Sequence, residues 1–334
     1  MKAITFSEFG DPDVLKLTDV LAPDVRSTDL LVRVHAAGVN RADLIQRGGA
    51  YGRADFGDST IMGLEIAGEV IEVGSEAQGY KIGDRVMGVV GGGAYAELAR
   101  IDYRMAMSIP KALDYVHAAA IPEVFVTAHE AMLHLGRLAR GNTVLIHAAA
   151  GGVGSAAVQL AYATGAFVIA TADASKLERV SQLGADVTID YKNQDFAEVV
   201  AKATDGRGVD VVIDFIGAPY FSRNIASLAH GGRLIQVGIL GGGGDVNVAL
   251  ERILYRHLQI MGTVMKSRTQ AEKHDMTRRF REHWLHRFAG GASLEPVVDS
   301  TFPLARAADA HRRMESSANI GKIILTMVSG DIAS

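Results

Sequence analysis

The chain has 334 residues, of which 48% are hydrophobic and 22% are charged, and its net charge is -4. This is the composition of an ordinary globular protein with room for two domains, and it excludes the strongly basic balance of a typical nucleic-acid-binding protein. The absence of cysteine excludes disulfides and thiolate metal sites and fits a reducing compartment.

The first hundred residues are short alternating segments separated by glycine, proline and aspartate. This pattern predicts a mainly antiparallel β domain. Its strands are expected at 30–35, 66–73, 85–90 and 94–99, with a short helix or turn at 40–47 and a loop at 48–57. The N-terminus lacks the apolar core of a signal peptide, and no run approaches the ~20 apolar residues that cross a bilayer. We therefore expect a cytoplasmic protein that makes no membrane contact.

An apolar run at 143–147 meets a glycine cluster and continues as a helix of small residues at 153–163. The turn carries Ala148-x-x-Gly151-x-x-Gly154, a dinucleotide-binding fingerprint in which alanine takes the first glycine position. Glycines here allow a tight turn and a close approach to pyrophosphate, and the last one lets the helix pack against the strand. The N–H groups at the start of the helix would point at the phosphate.

Apolar runs then alternate with polar-faced helical segments, which predicts parallel strands joined by right-handed crossovers in a doubly wound sheet. The strands are expected at 167–171, 187–190, 209–215 and 233–237, and the helices at 175–183, 195–204 and 220–229. The glycine turn follows the first strand of this sheet, which is the context that a dinucleotide site requires.

The segment 249–264 ends in an apolar strand at the outer edge of the sheet. Such an edge needs a cover, and we favour a two-fold partner over a loop of the same chain. The last strand, within 318–327, is expected to return to the β domain. We therefore predict one domain from 1–123 and 265–334, with a nucleotide-binding domain at 124–264 inserted into it.

Six stretches, GVNRADLIQRGGAY, GLEIAGEVIEVG, KIGDRVMGVVGGGAYAE, AAAIPEVFVTAHEAM, IHAAAGGVGSAAVQLA and ANIGKI, span nearly the whole chain. Together they resemble the medium-chain dehydrogenases/reductases, most closely the zinc-free quinone oxidoreductase branch that includes zeta-crystallin. The combination of NRADLIQR, AAAIPE and NIGKI is most similar to the tumour-suppressor-inducible quinone oxidoreductase subgroup. The resemblance implies an α/β fold with a GroES-like β domain and a Rossmann domain.

The chain departs from the zinc alcohol dehydrogenases of the same superfamily at their metal ligands. Those enzymes place Cys-His where this chain has Asn40-Arg41, and Gly-His-Glu where it has Gly63-Leu64-Glu65. Without these ligands neither family zinc site is expected. An electron-poor quinone or conjugated enone accepts hydride without a metal, so such an acceptor suits the chain better than an alcohol does.

The resemblance also implies residue roles. Asn40, Gln46 and Tyr51 would line the pocket beside the nicotinamide, with Tyr51 donating a hydrogen bond or a proton to the acceptor. The alternatives are that Asn40 only forms a turn and that Tyr51 only packs in its loop. Thr127 and the Leu240-Gly241 backbone would hold the nicotinamide ring. Further cofactor contacts are expected at Ala148, Gly151, Gly152, Val153, Gly154, Gly217, Gly238 and Asn319.

The choice between NADPH and NADH depends on the end of the second strand of the nucleotide domain. A 2′-phosphate requires cations and hydroxyl donors, whereas a ribose diol requires a carboxylate. Lys176 and Tyr191 match two phosphate-binding residues of the resembling enzymes. Asp173 departs from them, because its charge would repel a phosphate if it pointed inward. We favour NADP(H), with NAD(H) as the alternative.

The sequence therefore predicts a zinc-independent NADPH-dependent reductase, a homodimer, with a small quinone or similar carbonyl compound as substrate. Enoyl reduction is a neighbouring alternative. A binding protein without turnover is the alternative from a different class. Its support is the basic segment 266–287, with seven Lys/Arg against three Asp/Glu, but such a run is usually a solvated helix face, so nucleic-acid binding is not expected.

Overall fold

The computed structural model describes residues 1–50, 59–289 and 294–327. The chain folds into two compact units, one formed by Met1–Glu123 with Thr269–Ser334 and the other by Val124–Arg268. Within the described residues, no helix is long and apolar enough to span a membrane. The cytoplasmic location stays a prediction.

The strands alternate with helices in the second unit and dominate the first. In chain order the strands are β1 (Lys2–Thr5), β2 (Lys16–Asp19), β3 (Asp29–Val39), β4 (Glu65–Val73), β5 (Arg85–Val89), β6 (Leu98–Asp102), β7 (Ala106–Ser108), β8 (Thr143–Ile146), β9 (Phe167–Ala172), β10 (Val187–Asp190), β11 (Val209–Asp214), β12 (Leu228–Gln236), β13 (Gln259–Gly262), β14 (Val298–Pro303) and β15 (Lys322–Thr326). The α-helices are α1 (Arg41–Arg47), α2 (Tyr115–Ala118), α3 (Pro122–His129), α4 (Gly152–Thr164), α5 (Leu177–Gln182), α6 (Phe196–Ala203), α7 (Ala218–Ser227), α8 (Leu250–Arg256), α9 (Gln270–Trp284) and α10 (Ala307–Glu315).

The first unit is built on a mainly antiparallel sheet with the order β14-β15-β3-β4-β5-β7, and β6 also pairs with β3. Among the described strands of this sheet, only β14 and β15 run parallel to each other. The long strand β3 is buried along most of its length and is the centre of the sheet. Near its end, Val39 lies opposite Ile323 of β15. This pairing brings β15 beside the start of α1.

The strand expected at 94–99 was predicted wrongly, because the structure begins β6 only at Leu98. Ahead of it, Ala96 forms an isolated bridge with Ala3, and the Tyr95 N–H donates to the Met62 carbonyl. The preceding Gly92 and Gly93 both have positive φ. They turn the chain, so the apolar run packs as irregular backbone before it joins the sheet.

The second unit contains a six-stranded sheet with the order β10-β9-β8-β11-β12-β13. All five neighbouring pairs are parallel, which confirms the doubly wound sheet. Its core packs apolar side chains of the strands, such as Leu145 and Val212, against helical residues such as Phe196. In the register of β9 and β10, Ala172 lies opposite Asp190. The residues that follow these two strands therefore emerge side by side.

Candidate functional site

The glycine turn after β8 leads directly into α4. Ala148 adopts the left-handed conformation, with φ of 48°, and its carbonyl accepts from the Gly151 N–H at 2.9 Å. A Cβ on Gly154 would lie 2.3 Å from the Ala148 carbonyl oxygen, so only glycine allows the helix to pack so close to the turn.

The start of α4 has the features of an anion site. Gly151 caps the 13-residue helix without a side-chain hydrogen bond. The first-turn N–H groups of Gly152, Val153 and Gly154 therefore have no capping side chain, and the positive end of the helix dipole lies at the same place. The turn fits the pyrophosphate of a dinucleotide.

A buried hydrogen-bond chain supports the strand ends around this turn. His147 Nε2 is 2.8 Å from Asn224 Oδ1 and its Nδ1 is 3.0 Å from Thr171 Oγ1. Asn224 Nδ2 in turn donates to Asp214 Oδ2 at 3.1 Å. Burial lowers the pKa of His147 to about 4, so the imidazole is neutral at pH 7. This series of hydrogen bonds links the ends of β8, β9 and β11.

The loops after β11 and β12 hold four of the predicted cofactor residues. Gly217 has φ of 90°, and its N–H donates to the Asp214 carboxylate. The Gly238 N–H also reaches Asp214, at its carbonyl oxygen, 3.3 Å away. The N–H groups of Leu240 and Gly241 donate to Phe215 and Ile216 carbonyls at 2.9 and 2.8 Å. The N–H groups of Gly217, Gly238, Leu240 and Gly241 are thus used within the protein.

Asp173 follows β9 and caps a short 3₁₀ turn, Ala174–Lys176. Its carboxylate pairs with Lys192 at 2.5 Å. The hydrogen bond from Lys192 is the main reason that the pKa of Asp173 is lowered. Lys176 is half-buried on the same turn, and Tyr191 is exposed beside Lys192. The structure thus gathers Asp173, Lys176 and Tyr191 at the carboxyl edge of β9 and β10, together with Lys192, which the sequence analysis missed.

Two further predicted cofactor residues lie elsewhere. Thr127 is half-buried on α3, one helical turn before a π-helical segment, Glu130–Leu135. Asn319 belongs to the first unit, where it is buried and its Nδ2 donates to the Gly321 carbonyl at 2.9 Å. Tyr51 lies outside the described residues, so its predicted role stays a prediction.

Asn40 lies at the start of α1 within the first unit, and its amide is held from both ends. Its Oδ1 accepts from Lys322 Nζ at 2.6 Å, and its Nδ2 donates to Glu65 Oε1 at 3.0 Å. The Lys322 ammonium also donates to the Val39 carbonyl at 2.7 Å and pairs with Glu65 at 2.6 Å. Its three protons therefore meet three oxygen atoms. The other Glu65 oxygen accepts from the Glu123 N–H at 2.9 Å.

A second series of buried hydrogen bonds begins at Asp43 on α1. Its Oδ2 accepts from the Asn40 N–H at 2.8 Å and from the Tyr95 hydroxyl at 3.0 Å. The Tyr95 oxygen is also 3.2 Å from His311 Nε2, and Arg47 Nη1 lies 3.1 Å from His311 Nδ1. Burial raises the pKa of Asp43 to about 7 and that of Tyr95 well above its usual value. Burial also lowers the pKa of His311 to about 3.

Gln46 lies on the same helix, but its side-chain amide takes no part in these hydrogen bonds. The side chain is fully buried, and neither amide atom has a hydrogen-bond partner among the described residues. An unpartnered buried amide is costly, so it is uncommon without a ligand or water to satisfy it. In the described part of the chain, no three His, Cys, Asp or Glu side chains are grouped as metal ligands.

Two protein-family profiles match the chain. One, described as "Alcohol dehydrogenase GroES-like domain", matches residues 26–111. The other, described as "Zinc-binding dehydrogenase", matches residues 152–282. The first match falls in the antiparallel sheet of the first unit. The second begins at α4, the helix that follows the glycine turn.

Individual proteins match over almost the whole chain. Human quinone oxidoreductase is 32% identical over 98% of this chain and 98% of its own. A crystal structure of Escherichia coli quinone oxidoreductase complexed with NADPH has a TM-score of 0.88 at 28% identity, covering 98% of this chain and 100% of that one. The CurK enoyl reductase structure has a TM-score of 0.85 at 26% identity, covering 98% and 99%.

Proposed function

Because this chain belongs to the medium-chain dehydrogenase/reductase family, with quinone oxidoreductases among its relatives, we propose that it transfers hydride from NADPH to a quinone or similar electrophilic carbonyl compound. The observation that carries the proposal is the glycine turn, which leads from a central parallel strand into the start of α4, where no side chain caps the helix. When bound, the nicotinamide supplies the hydride. The protein has to bind the cofactor, orient the acceptor and exclude water.

The second unit would hold the cofactor through backbone groups. The first-turn N–H groups of α4 would bind the pyrophosphate. Since the N–H groups of Leu240 and Gly241 already donate within the protein, these residues would bind the nicotinamide amide through their carbonyl oxygens. Similarity to an NADPH-complexed quinone oxidoreductase favours NADP(H) over NAD(H). Lys176 and Tyr191 would take part at the ribose end.

We propose that the reaction needs no zinc. The superfamily's metal enzymes have zinc ligands at the positions of Asn40 and Leu64, and here Asn40 is bonded to the Lys322 ammonium rather than offering a metal ligand. The chain has no cysteine at any position. A buried ammonium already paired with Glu65 repels a divalent cation, so this donor set does not fit zinc.

The residues predicted to bind the acceptor lie on or near α1, and we assign them different roles. Asn40 acts as a positioning residue, because both ends of its amide are bonded within the protein. Gln46 retains unused donors and acceptors, and we assign it the contact with the acceptor carbonyl. Tyr51 would add a second hydrogen bond, as the family resemblance implies.

Enoyl reduction is the second candidate, favoured by the similarity to the CurK enoyl reductase. The two are separated by following NADPH oxidation with an ortho-quinone, a para-quinone and a 2-alkenal, each with and without a metal chelator. We expect quinone turnover that the chelator does not change. If only the alkenal is turned over, the protein is an enoyl reductase rather than a quinone reductase. If no acceptor oxidised NADPH, the proposed function would be wrong, and a chelator-sensitive rate would overturn its zinc-free part.

A binding protein without turnover receives less support. Its sequence argument was the basic segment 266–287, most of which forms α9. On this helix Arg278 is paired with Asp275 at 3.2 Å and with Glu282 at 3.0 Å. These are the short-range pairs of a solvated helix face. They leave less positive charge for a nucleic-acid phosphate.

We also propose a homodimer through the second unit. Within the described residues β13 pairs only with β12, and Ile260 on this edge strand is 40% exposed. Light scattering should give twice the 35.5 kDa mass of one chain. Ile260→Lys places like charges against each other across a two-fold axis and should yield monomers, whereas Leu21→Lys in the first unit should not. A wild-type mass of one chain would exclude this dimer.

A further inference from the structure

The end of β9 and the end of β10 form one polar corner of the second unit. Because Asp190 lies opposite Ala172, Asp173 and the pair Tyr191-Lys192 leave the sheet side by side. Ligands of open parallel sheets bind outside the carboxyl ends of the strands, and the residue after the second strand is the one that reads the adenosine ribose. The charges at this corner therefore decide which ribose is accepted.

Asp173 does not offer a free carboxylate to a ribose. Its Oδ1 accepts from the Ser175 N–H at 3.1 Å and from the Ser175 hydroxyl at 2.8 Å. Its Oδ2 is 2.5 Å from Lys192 Nζ. Both oxygens are thus occupied, one of them by a full positive charge. A ribose diol would have to compete with Lys192 for the carboxylate.

Lys192 has an anchored backbone and a reachable ammonium. Its N–H donates to Asp190 Oδ1 at 3.1 Å, and Asn193 Nδ2 donates to Asp190 Oδ2 at 2.6 Å, which fixes the turn after β10. The Lys192 side chain is 59% exposed, and its Nζ lies 5.9 Å from the centre of the Tyr191 ring. A ligand arriving at Tyr191 therefore finds this ammonium beside it.

We propose that Lys192 determines cofactor selectivity by neutralising Asp173 and by binding the 2′-phosphate of NADPH. The inference rests on the nucleotide-binding function proposed above and adds a specificity residue to it. An exposed ion pair is weak, so the ammonium can move at little cost to a position between the carboxylate and the phosphate. Without Lys192, the carboxylate would face the phosphate uncompensated and repel it.

The test uses two fragments that differ only in the 2′-phosphate, 2′,5′-ADP and 5′-AMP, titrated calorimetrically into the full-length protein. The variants are Lys192→Met, Asp173→Asn and the double substitution. Lys202→Met changes the charge of an exposed lysine on α6 and is the matched control. The side chains of Lys192 and Asp173 both reach solvent. Melting curves should confirm that each variant is folded.

We expect Lys192→Met to weaken 2′,5′-ADP binding by tenfold or more, about 1.4 kcal/mol, while 5′-AMP binding changes less than about twofold. The double variant should recover part of the loss because the repelling carboxylate is gone. Equal effects on both fragments, or no effect, would overturn the role of Lys192, as would a wild-type protein that binds 5′-AMP more tightly than 2′,5′-ADP. A wild-type protein that binds neither fragment nor NADPH would instead overturn the proposed function.

Discussion

Lys322 Nζ lies 2.6 Å from Glu65 Oε1 inside the first unit, and the two side chains are 4% and 0% exposed. A Cβ on Gly38 would lie 2.2 Å from the same Glu65 oxygen, so the strand beside the pair has no room for a side chain there. The pair also holds both ends of the Asn40 amide. The buried ammonium is thus enclosed by the Val39 carbonyl, the Asn40 amide oxygen and the Glu65 carboxylate.

Lys322→Met tests this arrangement through stability. Removing one partner of a buried pair leaves the other charge uncompensated, which costs about 3–5 kcal/mol. We expect a lower midpoint of urea unfolding, and expect the double variant Lys322→Met, Glu65→Gln to recover part of it. Lys111→Met, at an exposed position of the same unit, is the control. A Lys322→Met midpoint equal to that of the wild type would contradict the account.

Asp43 makes stability depend on pH. Burial raises its pKa from 3.8 to about 7 in the folded protein. Between these values the folded state holds a proton that the unfolded state has lost, so the stability contribution present at low pH is lost as the pH rises through about 7. The shift corresponds to about 4 kcal/mol.

Asp43→Asn is neutral at every pH and should remove this dependence. Its melting temperature, relative to that of the wild type, should rise between pH 5 and pH 8. Asp11→Asn, at an exposed aspartate, should show no such change. If Asp43→Asn and the wild type have the same pH dependence, the carboxyl of Asp43 is ionised throughout the range.

Gly154→Ala tests whether the glycine turn binds the pyrophosphate. The new Cβ would lie 2.3 Å from the Ala148 carbonyl oxygen, and the turn has to move to admit it. We expect NADPH binding to weaken by tenfold or more, about 1.4 kcal/mol. Ala148→Gly is the matched change in the same turn, and it should stabilise the protein by about 1 kcal/mol because Ala148 has φ of 48°. Unchanged NADPH affinity in Gly154→Ala would place the pyrophosphate elsewhere.

Gln46→Met should separate stability from activity. The substitution replaces a buried amide without partners by an apolar side chain of similar size, which should stabilise the protein by about 1 kcal/mol or more. If the amide binds the acceptor, kcat/KM for the quinone should fall about tenfold or more, with NADPH affinity unchanged. A stabler variant with full activity would make Gln46 a packing residue only.

Local sequence pattern was sufficient to predict the fold of the second unit. The apolar runs and the glycine turn predicted a parallel sheet. This was possible because a buried strand and a dinucleotide-binding turn each depend on residues that are consecutive in the sequence. The Lys322–Glu65 pair could not be predicted in this way, since its partners lie on β15 and β4 and meet only through the sheet pairing around β3. A lysine opening the apolar run of β15 was the one available signal.

Contacts made only in the folded sheet also explain why the polar corner at the ends of β9 and β10 was predicted incompletely. Lys176 was chosen because it matches a phosphate-binding lysine of the resembling enzymes. Lys192 lies beside Asp173 through the register of β9 and β10, which depends on the folded sheet. The wrong strand at 94–99 had a different cause, because two glycines with positive φ turned an apolar run away from the sheet.

NADPH-dependent oxidoreductase function is tested most directly by a fluorescence titration of the wild-type protein with NADPH and NADH in parallel. We expect NADPH to bind more tightly by tenfold or more, about 1.4 kcal/mol. Tighter binding of NADH would mean that Asp173 reads the ribose hydroxyls, which contradicts the cofactor assignment. Binding of neither cofactor would contradict the proposed oxidoreductase function itself.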